Sequence, residues 1–380
     1  MDLQELRTSI DQIDESLLSL FAQRMDLSAQ VATFKKEHNL PVLDAGREQE
    51  KLASVAKQLP EDLQEYGLSL YSLLFELSRA RQNTLLGVGN SLTEEIHRAI
   101  HDTEPLFPPN ASVACQGVAG AYSQLACEKL FRHPGILYFS NFEAVFSAIE
   151  KGLCRYGVLP LENSTAGSVN MVYDLMMRHN FRIVRSVRLK VDHNLLAKPG
   201  TKLEEIRAIY SHEQAISQCS DFLQQHPEIS VVRCANTAEA AKMVAESDRS
   251  DVAALSSRSC AQLYGLQCLV PSCQNQGNNY TRFICISRDL EIYPGADRTS
   301  LMVVLPHRPG SLYKLLSRFY ALGINLNKLE SRPLPERDFE FMFSFDLDTS
   351  VYSPQFIQLM GELEGLCESF TYLGSYSEVI

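Results

Sequence analysis

Residues 3–34 read LQELRTSIDQIDESLLSLFAQRMDLSAQVATF and decide the fold of the first part of the chain. Apolar residues recur there at alternating steps of three and four, which predicts one long amphipathic helix with a coiled-coil-like seam. The seam consists of Leu3, Leu6, Ile10, Ile13, Leu17, Leu20, Leu27, Val31 and Phe34. Arg24 stands where this register calls for an apolar residue, and an arginine in a seam is costly unless an anion meets it. We therefore expect an anion at Arg24, against the ordinary alternative of a solvated helix face.

Two more helices are predicted before residue 86. One runs from about Asp44 to Lys57 and the other from near Glu61 to about Leu85, with Pro60 between them. A first helix of about 50 Å, at 1.5 Å per residue, is too long for three helices to enclose a compact core in so few residues. We therefore expect a dimer in which the long helices pair between subunits.

The first helix also predicts which of its cations share a groove. Arg24 and Lys35 are eleven residues apart, and eleven steps of 100° return to within about 20° of the same face. Arg7 lies about 100° away from Arg24, so it cannot easily join them on its own subunit. A dimer partner can present it.

The rest of the chain divides into three stretches. Residues 89–110 form a linker, because glycines, prolines and a short helical pattern follow one another there. Residues 111–287 alternate short β-rich runs with helical stretches, which predicts an α/β domain of two lobes around a cleft. Residues 299–376 predict the order βαββαβ, the ferredoxin-like arrangement.

Composition excludes several classes of partner. The formal net charge of −11 opposes a nucleic-acid footprint, which needs clustered Lys and Arg. The ten cysteines show no CxxC pair and no zinc-site spacing, so we expect reduced thiols, a cytoplasmic location, and neither metal nor organic cofactor. The charged N-terminus and the absence of a long apolar run predict a protein that is neither exported nor membrane-bound.

The helical segment ELRTSIDQIDESLLSLFAQRMDLSAQVATFKKEHNLPVLDAGREQEKL resembles the all-helical chorismate mutase family, here in residues 1–88. The resemblance implies that Arg24, Lys35 and Arg7 of a partner chain hold the carboxylates and ether oxygen of chorismate. The other positions that match family motifs are Asp44, Arg47, Glu48, Ser78 and Gln82. Such residues suit the reaction, because a Claisen rearrangement needs a dianion held in a chair-like shape and charge stabilised on the ether oxygen.

The α/β stretch resembles prephenate dehydratase, whose fold is similar to periplasmic binding proteins. Three segments carry the match, GVAGAYS (117–123), LPLENSTAGSV (159–169) and NNYTRF (278–283), with Val118 where the family often has proline. The resemblance makes Thr281 the essential threonine and Arg282 either a carboxylate ligand or a brace of the fold. Glu162 is either the proton donor or a loop-holding partner, and His212 either an acid or a structural hydrogen bonder. Further polar site positions are Asn163, Ser164, Thr165 and Gln218.

The last 80 residues resemble an ACT domain, which pairs side by side and binds an amino acid at the interface. Two segments, PHRPGSLYKLL and NKLESRPLP, are similar to the phenylalanine site of that family. The residues implied are Gly310, Ser311, Leu312, Glu330, Ser331, Arg332 and Pro333. The alternative is a pairing domain that binds nothing.

Together these features predict a multidomain bifunctional enzyme of phenylalanine synthesis. It would convert chorismate to prephenate and prephenate to phenylpyruvate, as a homodimer or homotetramer inhibited by phenylalanine. One rival hypothesis is a sensor without catalytic activity, and another keeps the dehydratase but makes the helices a degenerate dimeriser. A dehydrogenase fusion is disfavoured, because no glycine fingerprint follows a strand.

Overall fold

The structure is a computed structural model that describes residues 2–38, 40–86, 91–334 and 340–380. Its helices are α1 (Leu3–Glu37), α2 (Ala45–Gln58), α3 (Gln64–Leu86), α4 (Ser91–Asp102), α5 (Tyr122–Leu130), α6 (Phe142–Glu150), α7 (Asn170–Arg178), α8 (Glu213–Gln218), α9 (Ser220–Gln224), α10 (Thr237–Glu246), α11 (Arg258–Tyr264), α12 (Ser311–Ala321) and α13 (Pro354–Leu366). Its strands are β1 (Asn110–Gln116), β2 (His133–Phe139), β3 (Tyr156–Asn163), β4 (Gly167–Ser168), β5 (Arg182–Lys190), β6 (Asn194–Ala197), β7 (Ala208–Ser211), β8 (Ser230–Arg233), β9 (Val252–Ser256), β10 (Gln267–Val270), β11 (Tyr280–Ser287), β12 (Arg298–Val304), β13 (Asn325–Pro333), β14 (Phe341–Asp348), β15 (Ser369–Tyr376) and β16 (Glu378–Val379).

The chain divides into two compact units. The first holds the described residues up to Glu95 together with Leu305–Gly323 and Tyr352–Ser369. The second holds Ile96–Val304, Ile324–Val351 and Phe370–Ile380. The helical candidate site belongs to the first unit and the α/β candidate site to the second.

The first unit confirms the predicted helical domain. A capping box between Asp2 and Glu5 starts α1, and Lys35 and Lys36 occupy its last turn, where cations favour the negative end of the helix dipole. Both α1 and α2 pack against α3. Only Ser28 and Ala32 of α1 are buried.

The apolar seam of α1 is therefore mostly uncovered within one chain. Its exposed large apolar side chains include Leu3 (64% exposed), Ile13 (59%), Leu17 (54%), Leu20 (61%) and Leu27 (60%). A run of this length is far more than the scattered surface leucines of an ordinary monomer. The uncovered seam supports the predicted pairing of long helices between subunits.

The second unit contains two lobes built on separate sheets. The first sheet has the order β16-β5-β11-β3-β1-β2, with β4 paired to β3, and the second has the order β10-β6-β9-β7-β8. In the first sheet β1 runs parallel to β2 and β3, whereas β11 runs antiparallel to both β3 and β5. This arrangement confirms the predicted α/β architecture and places the ends of β3 and β11 side by side.

A third sheet, with the order β13-β14-β12-β15, completes the second unit. The elements β12, α12, β13, β14, α13 and β15 follow the predicted βαββαβ order, and this strand order is that of the ferredoxin-like arrangement. Met302 and Met342 of this sheet join the hydrophobic core formed by Leu161, Val172 and Met176 of the first lobe. One face of the third sheet therefore packs directly on that lobe.

The predicted linker is more structured than its composition suggests. Ile96 and Ala99 of α4 are buried, and the hydroxyl of Thr103 accepts a hydrogen bond from the backbone N–H of Ile292 at 3.0 Å. Residues 96–103 therefore belong to the second unit. The apolar face of the helix is buried there, although glycines and prolines flank this stretch. The predicted boundary at residue 88 lies outside the described residues.

Candidate active sites

A cavity of about 340 Å³ lies among α1, α2 and α3 of the first unit. It is lined by Arg24, Leu27, Ser28, Val31, Lys35, Val42, Asp44, Arg47, Glu48, Lys51, Tyr71, Phe75, Ser78, Arg79 and Gln82. Seven of the eight predicted positions of the helical site are in this set. Arg7 is the exception, because it lies exposed on α1 away from this cavity.

Arg24 is the charged residue that interrupts the apolar seam of α1. Its guanidinium donates to the hydroxyl of Ser78 and to the carbonyl of Leu74 at 3.0 Å, and it lies 5.8 Å from the ring centre of Phe75. Burial lowers its pKa, although an arginine remains charged at neutral pH. Arg24, the charged residue in the apolar seam, is thus a cation that points toward α3 and lines the cavity.

Polar groups of α1 and α3 complete this wall. The amide of Gln82 donates to Ser28 Oγ at 3.1 Å, and Ser28 Oγ donates to the carbonyl of Ser78 at 3.2 Å. Within the described residues Gln82 Oε1 has no hydrogen-bond partner, although Gln82 is buried. A buried amide with unused capacity is costly unless a ligand satisfies it.

The cavity mouth carries more charges than the sequence predicted. Lys35 donates to the carbonyl of Val42 at 2.5 Å, and Asp44 caps α2 by accepting from the N–H of Arg47 at 3.0 Å. Glu48 forms an ion pair with Arg79, a residue that the sequence analysis missed. Arg79 follows Ser78 directly and looked like one more charge on an ordinary helix, so no spacing signal distinguished it.

The second candidate site is a cleft of about 530 Å³ between the two lobes of the second unit. It is lined by Gln116, Ala121, Tyr122, Ser123, Phe142, Pro160, Asn163, Ala166, Gly167, Ser168, Val169, Val191, His193, His212, Gln214, Ala215, Gln218, Ala235, Asn236, Thr237, Thr281 and Phe283. Asn163, Gln218 and Thr281 lie here as predicted. Ser164 and Thr165 instead line a smaller polar cavity of about 350 Å³, together with Gln218 and Asn279.

Asn163 links the two segments that the sequence identified. It pairs in register with Thr281 across β3 and β11, and its Nδ2 donates to Thr281 Oγ1 at 2.9 Å and to Asn279 Oδ1 at 2.7 Å. Its Oδ1 accepts from the Thr165 hydroxyl at 2.7 Å and from the N–H of Ala166 at 2.9 Å. Asn163 therefore orders both the threonine and the loop after β3.

Gln218 connects this network to the second lobe. Its Nε2 donates to Thr165 Oγ1 at 2.7 Å, and its Oε1 accepts from Asn279 Nδ2 at 2.9 Å. His193 Nε2 lies 2.9 Å from the same Oε1 and must donate, so its Nδ1 carries the lone pair. Burial lowers the pKa of His193 and keeps the ring neutral. His193 and Asn279 were both missed, although Asn279 shares the NNYTRF segment with Thr281.

Glu162 and Arg282 lie outside the lining of the cleft. Neighbouring residues of a strand point to opposite faces, so Thr281 reaches the cleft and Arg282 does not. Arg282 pairs with Glu162 at 2.7 Å and with Asp346 of β14. Burial alone would lower the pKa of Arg282, but the carboxylates of Asp346 and Glu162 raise it well above its ordinary value. The geometry favours the bracing alternative for Arg282 and the loop-holding alternative for Glu162.

His212 lines the cleft but already has a structural partner. It caps α8, where its Nδ1 accepts from the N–H of Gln214 at 3.3 Å. Asn236, which also lines the cleft, caps α10 by accepting from the N–H of Glu239 at 2.8 Å. The hydrogen-bonding alternative for His212 is therefore the one that its contacts favour.

The predicted phenylalanine residues fall into both units. Gly310 begins α12 with φ +85°, a conformation that favours glycine, and Ser311 and Leu312 follow it half-buried in the first unit. In the second unit Glu330 bonds to Ser168 and Arg332 pairs with Asp174, whereas Ser331 and Pro333 are exposed. Alternation along β13 therefore turns two of the four residues of this strand toward the first lobe.

Three further observations concern metal binding, the cysteines and membrane-spanning helices. In the part of the chain that the structure describes, no group of three or more His, Cys, Asp or Glu is arranged to hold a metal ion. All ten cysteines are free. None of the described helices combines the length and apolarity that a membrane crossing requires.

Known protein families match the two stretches of the chain that contain the candidate sites. The chorismate mutase type II family matches residues 6–83, and the prephenate dehydratase family matches residues 113–291. The bifunctional chorismate mutase/prephenate dehydratase of Escherichia coli K12 is 31% identical over 98% of this chain and 95% of its own length. This chain belongs to the bifunctional chorismate mutase/prephenate dehydratase family. It is an enzyme with a mutase and a dehydratase domain.

Two further relatives are similar to most of this bifunctional enzyme. The chloroplastic arogenate dehydratase/prephenate dehydratase 2 of Arabidopsis thaliana is 35% identical and covers 80% of this chain and 87% of its own length. The prephenate dehydratase of Arthrobacter aurescens, solved in complex with L-Phe, superposes with a TM-score of 0.64 at 27% identity. It covers 70% of this chain and 89% of that one.

Proposed function

We propose that the cavity among α1, α2 and α3 rearranges chorismate to prephenate, and that the cleft containing Thr281 converts prephenate to phenylpyruvate. The observation that carries this assignment is the clustering of seven predicted mutase residues around one cavity and of Thr281, Asn163 and Gln218 around another. The test is to assay both reactions on one purified chain carrying Arg24→Ala or Thr281→Val, each of which removes one activity and spares the other.

In the mutase, binding geometry and electrostatics supply the catalysis. Arg24 holds one carboxylate of chorismate through its planar fork, and Lys35 donates to the ether oxygen, where negative charge grows as the C–O bond breaks. Gln82 can donate to the same oxygen after a half-turn of its amide, because the Ser28 hydroxyl can then donate to Gln82 Oε1 instead of to the Ser78 carbonyl. The substrate dianion is thereby held in its reactive chair, and no proton or covalent intermediate is needed.

Arg47, Lys51 and Arg79 of the same chain also line the cavity, and the family resemblance adds Arg7 of the partner subunit as a ligand of the second carboxylate. Arg7 lies away from the cavity and beside the exposed seam of α1, so pairing of α1 between subunits is the natural way to bring it in. We propose a two-fold dimer in which each site takes Arg24 from one subunit and Arg7 from the other.

Mixing Arg7→Ala and Arg24→Ala chains under conditions of subunit exchange should restore mutase activity. Only mixed dimers contain a site with both arginines, and they contain one such site of two. Random exchange makes half of the dimers mixed, so about a quarter of the wild-type activity should return. The measurement is chorismate consumption before and after exchange, with each variant alone as the control. An exchanged mixture no more active than its separate parts contradicts the shared site.

In the dehydratase, prephenate loses its carboxyl group as carbon dioxide and its ring hydroxyl as water, and one proton is taken up. A donor at the ring hydroxyl is the chief requirement, because aromaticity supplies the driving force. Thr281 is suited to this place, since its oxygen already accepts from Asn163 and its own hydrogen is left for the substrate. Asn163 orients the threonine, and Gln218 joins the two lobes beside it.

We also propose an ACT domain that binds phenylalanine and inhibits the dehydratase. The βαββαβ order and the turn at Gly310 support it, as does the L-Phe complex of the Arthrobacter dehydratase. At this strand-to-helix turn the N–H of Ser311 donates to the Arg308 carbonyl at 3.2 Å, so the N–H of Leu312 in the first turn of α12 is the backbone group suited to a ligand carboxylate.

Gly310→Ala should weaken inhibition by phenylalanine. The φ of +85° strains any residue with a Cβ, and a coupling free energy of the usual size corresponds to roughly 5- to 150-fold in affinity. We expect the phenylalanine concentration for half-inhibition to rise about tenfold, with the uninhibited rate unchanged. Gly365→Ala, at an ordinary helical position of α13, is the matched control. Equal inhibition of Gly310→Ala and the control would reject this site.

A further inference from the structure

Lys328 of β13 reaches from the third sheet to the β3–β4 hairpin, whose Ser168 lines the dehydratase cleft. Its ammonium group lies 2.6 Å from Glu162 Oε2 and 2.7 Å from Ser168 Oγ, and its side chain is only 16% exposed. It also pairs with Glu330 at 3.2 Å and lies 5.1 Å from the ring centre of Tyr173. Lys328 has no role in either proposed reaction.

Two of the groups that Lys328 contacts, Glu162 and Ser168, belong to one hairpin. Glu162 of β3 and Ser168 of β4 are directly paired in register, and the next pair is Asn163 with Gly167. Lys328 therefore bridges both strands of the hairpin one residue away from Asn163. Since Asn163 holds the hydroxyl of Thr281 at 2.9 Å, a shift of this hairpin moves a group aimed at the substrate.

The contacts of Lys328 bring several charged groups together in a partly buried place. Glu162 is shared between Lys328 and Arg282, and Arg282 is almost fully buried against Asp346. Burial opposes the charge of Lys328, but Tyr173 and Glu162 raise its pKa above its ordinary value, so it stays an ammonium. Removing the charge of Lys328 would leave the carboxylate of Glu162 with one cation fewer in a partly buried place. This costs more free energy than the loss of an exposed ion pair. The hairpin would then relax toward a new arrangement.

We propose that Lys328 is a positioning residue of the dehydratase, which fixes the β3–β4 hairpin so that Asn163 aligns Thr281. The third sheet is thus a part of the dehydratase site as well as a regulatory module. This inference rests on the proposed roles of Thr281 and Asn163. A displacement of about 1 Å in a catalytic group can cost about 100-fold in rate, so a single remote lysine can have a measurable effect.

The test is Lys328→Met in the full chain, which keeps the length of the side chain and removes its charge. We expect the dehydratase kcat to fall about 10- to 100-fold with little change in KM, because Thr281 is misaligned while the cleft is intact. Mutase activity, measured on the same sample, should not change. Lys242→Met is the matched control, since Lys242 forms an exposed pair with Glu246 at 3.8 Å, and it should leave both activities unchanged.

A double-mutant cycle with Asn163→Ala shows whether Lys328 acts through Asn163. If it does, Lys328→Met should lower kcat less than threefold once Asn163 is already alanine. An undiminished effect in that background overturns the proposal, as does an unchanged kcat in the single variant or an equal loss of both activities. Retention of dehydratase activity by Thr281→Val is a different result, which would reject the proposed role of Thr281 on which this inference rests.

Discussion

Arg24→Ala should lower the mutase kcat/KM by about 100- to 1000-fold and leave the dehydratase rate unchanged. Removing one preorganised donor from a developing or bound anion typically costs this much. Arg24 is also the only cation in the seam of α1, so no neighbour on that seam can replace its fork. The measurement is chorismate consumption and phenylpyruvate formation on the same purified protein.

The chain should tolerate this substitution structurally. The Ser78 hydroxyl keeps its own bond to the Leu74 carbonyl at 2.7 Å when Arg24 is removed, so no buried donor is orphaned. Alanine also relieves the cost of burying a guanidinium, whose pKa burial lowers. A loss of activity therefore reports on chorismate and not on unfolding.

Two further variants sharpen the result. Arg24→Lys keeps the charge but loses the planar fork, so it should recover only part of the rate. Arg81→Ala removes an exposed arginine of α3 that lies outside the cavity, and it should have no effect. A normal mutase rate in Arg24→Ala would restore the hypothesis that the helices serve only for dimerisation.

The mutase site could be predicted because its signal is local. A seam with a three- and four-residue period makes Arg24 an exception, and helical geometry alone puts Lys35 on the same face. Arg79 was not predicted, because nothing in the apolar periodicity of α3 distinguishes it from an ordinary surface charge. Its importance comes from Glu48 on another helix, and that contact joins residues far apart in sequence.

The dehydratase site shows where sequence reasoning fails. The motif segments identified Asn163, Gln218 and Thr281, but they did not tell which face of each strand meets the cleft. Glu162 was expected at the site and is paired instead with Arg282 and with Lys328, 166 residues away in the sequence. No periodicity encodes that partnership, because it depends on how a third sheet packs on the first lobe.

Thr281→Val should lower the dehydratase rate about 100- to 1000-fold and leave the mutase unchanged. Valine keeps the β-branched shape of threonine in β11 and removes only the hydroxyl. In the described part of the chain Thr281 Oγ1 accepts from Asn163 and has no assigned acceptor for its own hydrogen. In the proposed mechanism that hydrogen forms a hydrogen bond to the departing hydroxyl of prephenate, and a lost donor of this kind costs about 3 to 4 kcal/mol in the barrier.

The surrounding network makes this test specific. In Thr281→Val the amide of Asn163 still donates to Asn279 Oδ1 at 2.7 Å and to the Tyr280 carbonyl at 3.2 Å, so the loop after β3 remains ordered. Thr281→Ser restores a hydroxyl at the same place and should recover most of the rate. Phenylpyruvate formation and chorismate consumption are measured on each variant. If valine supports the wild-type dehydratase rate, the hydrogen-bond donor to the departing hydroxyl lies elsewhere in the cleft, and Thr281 only pairs β11 with β3.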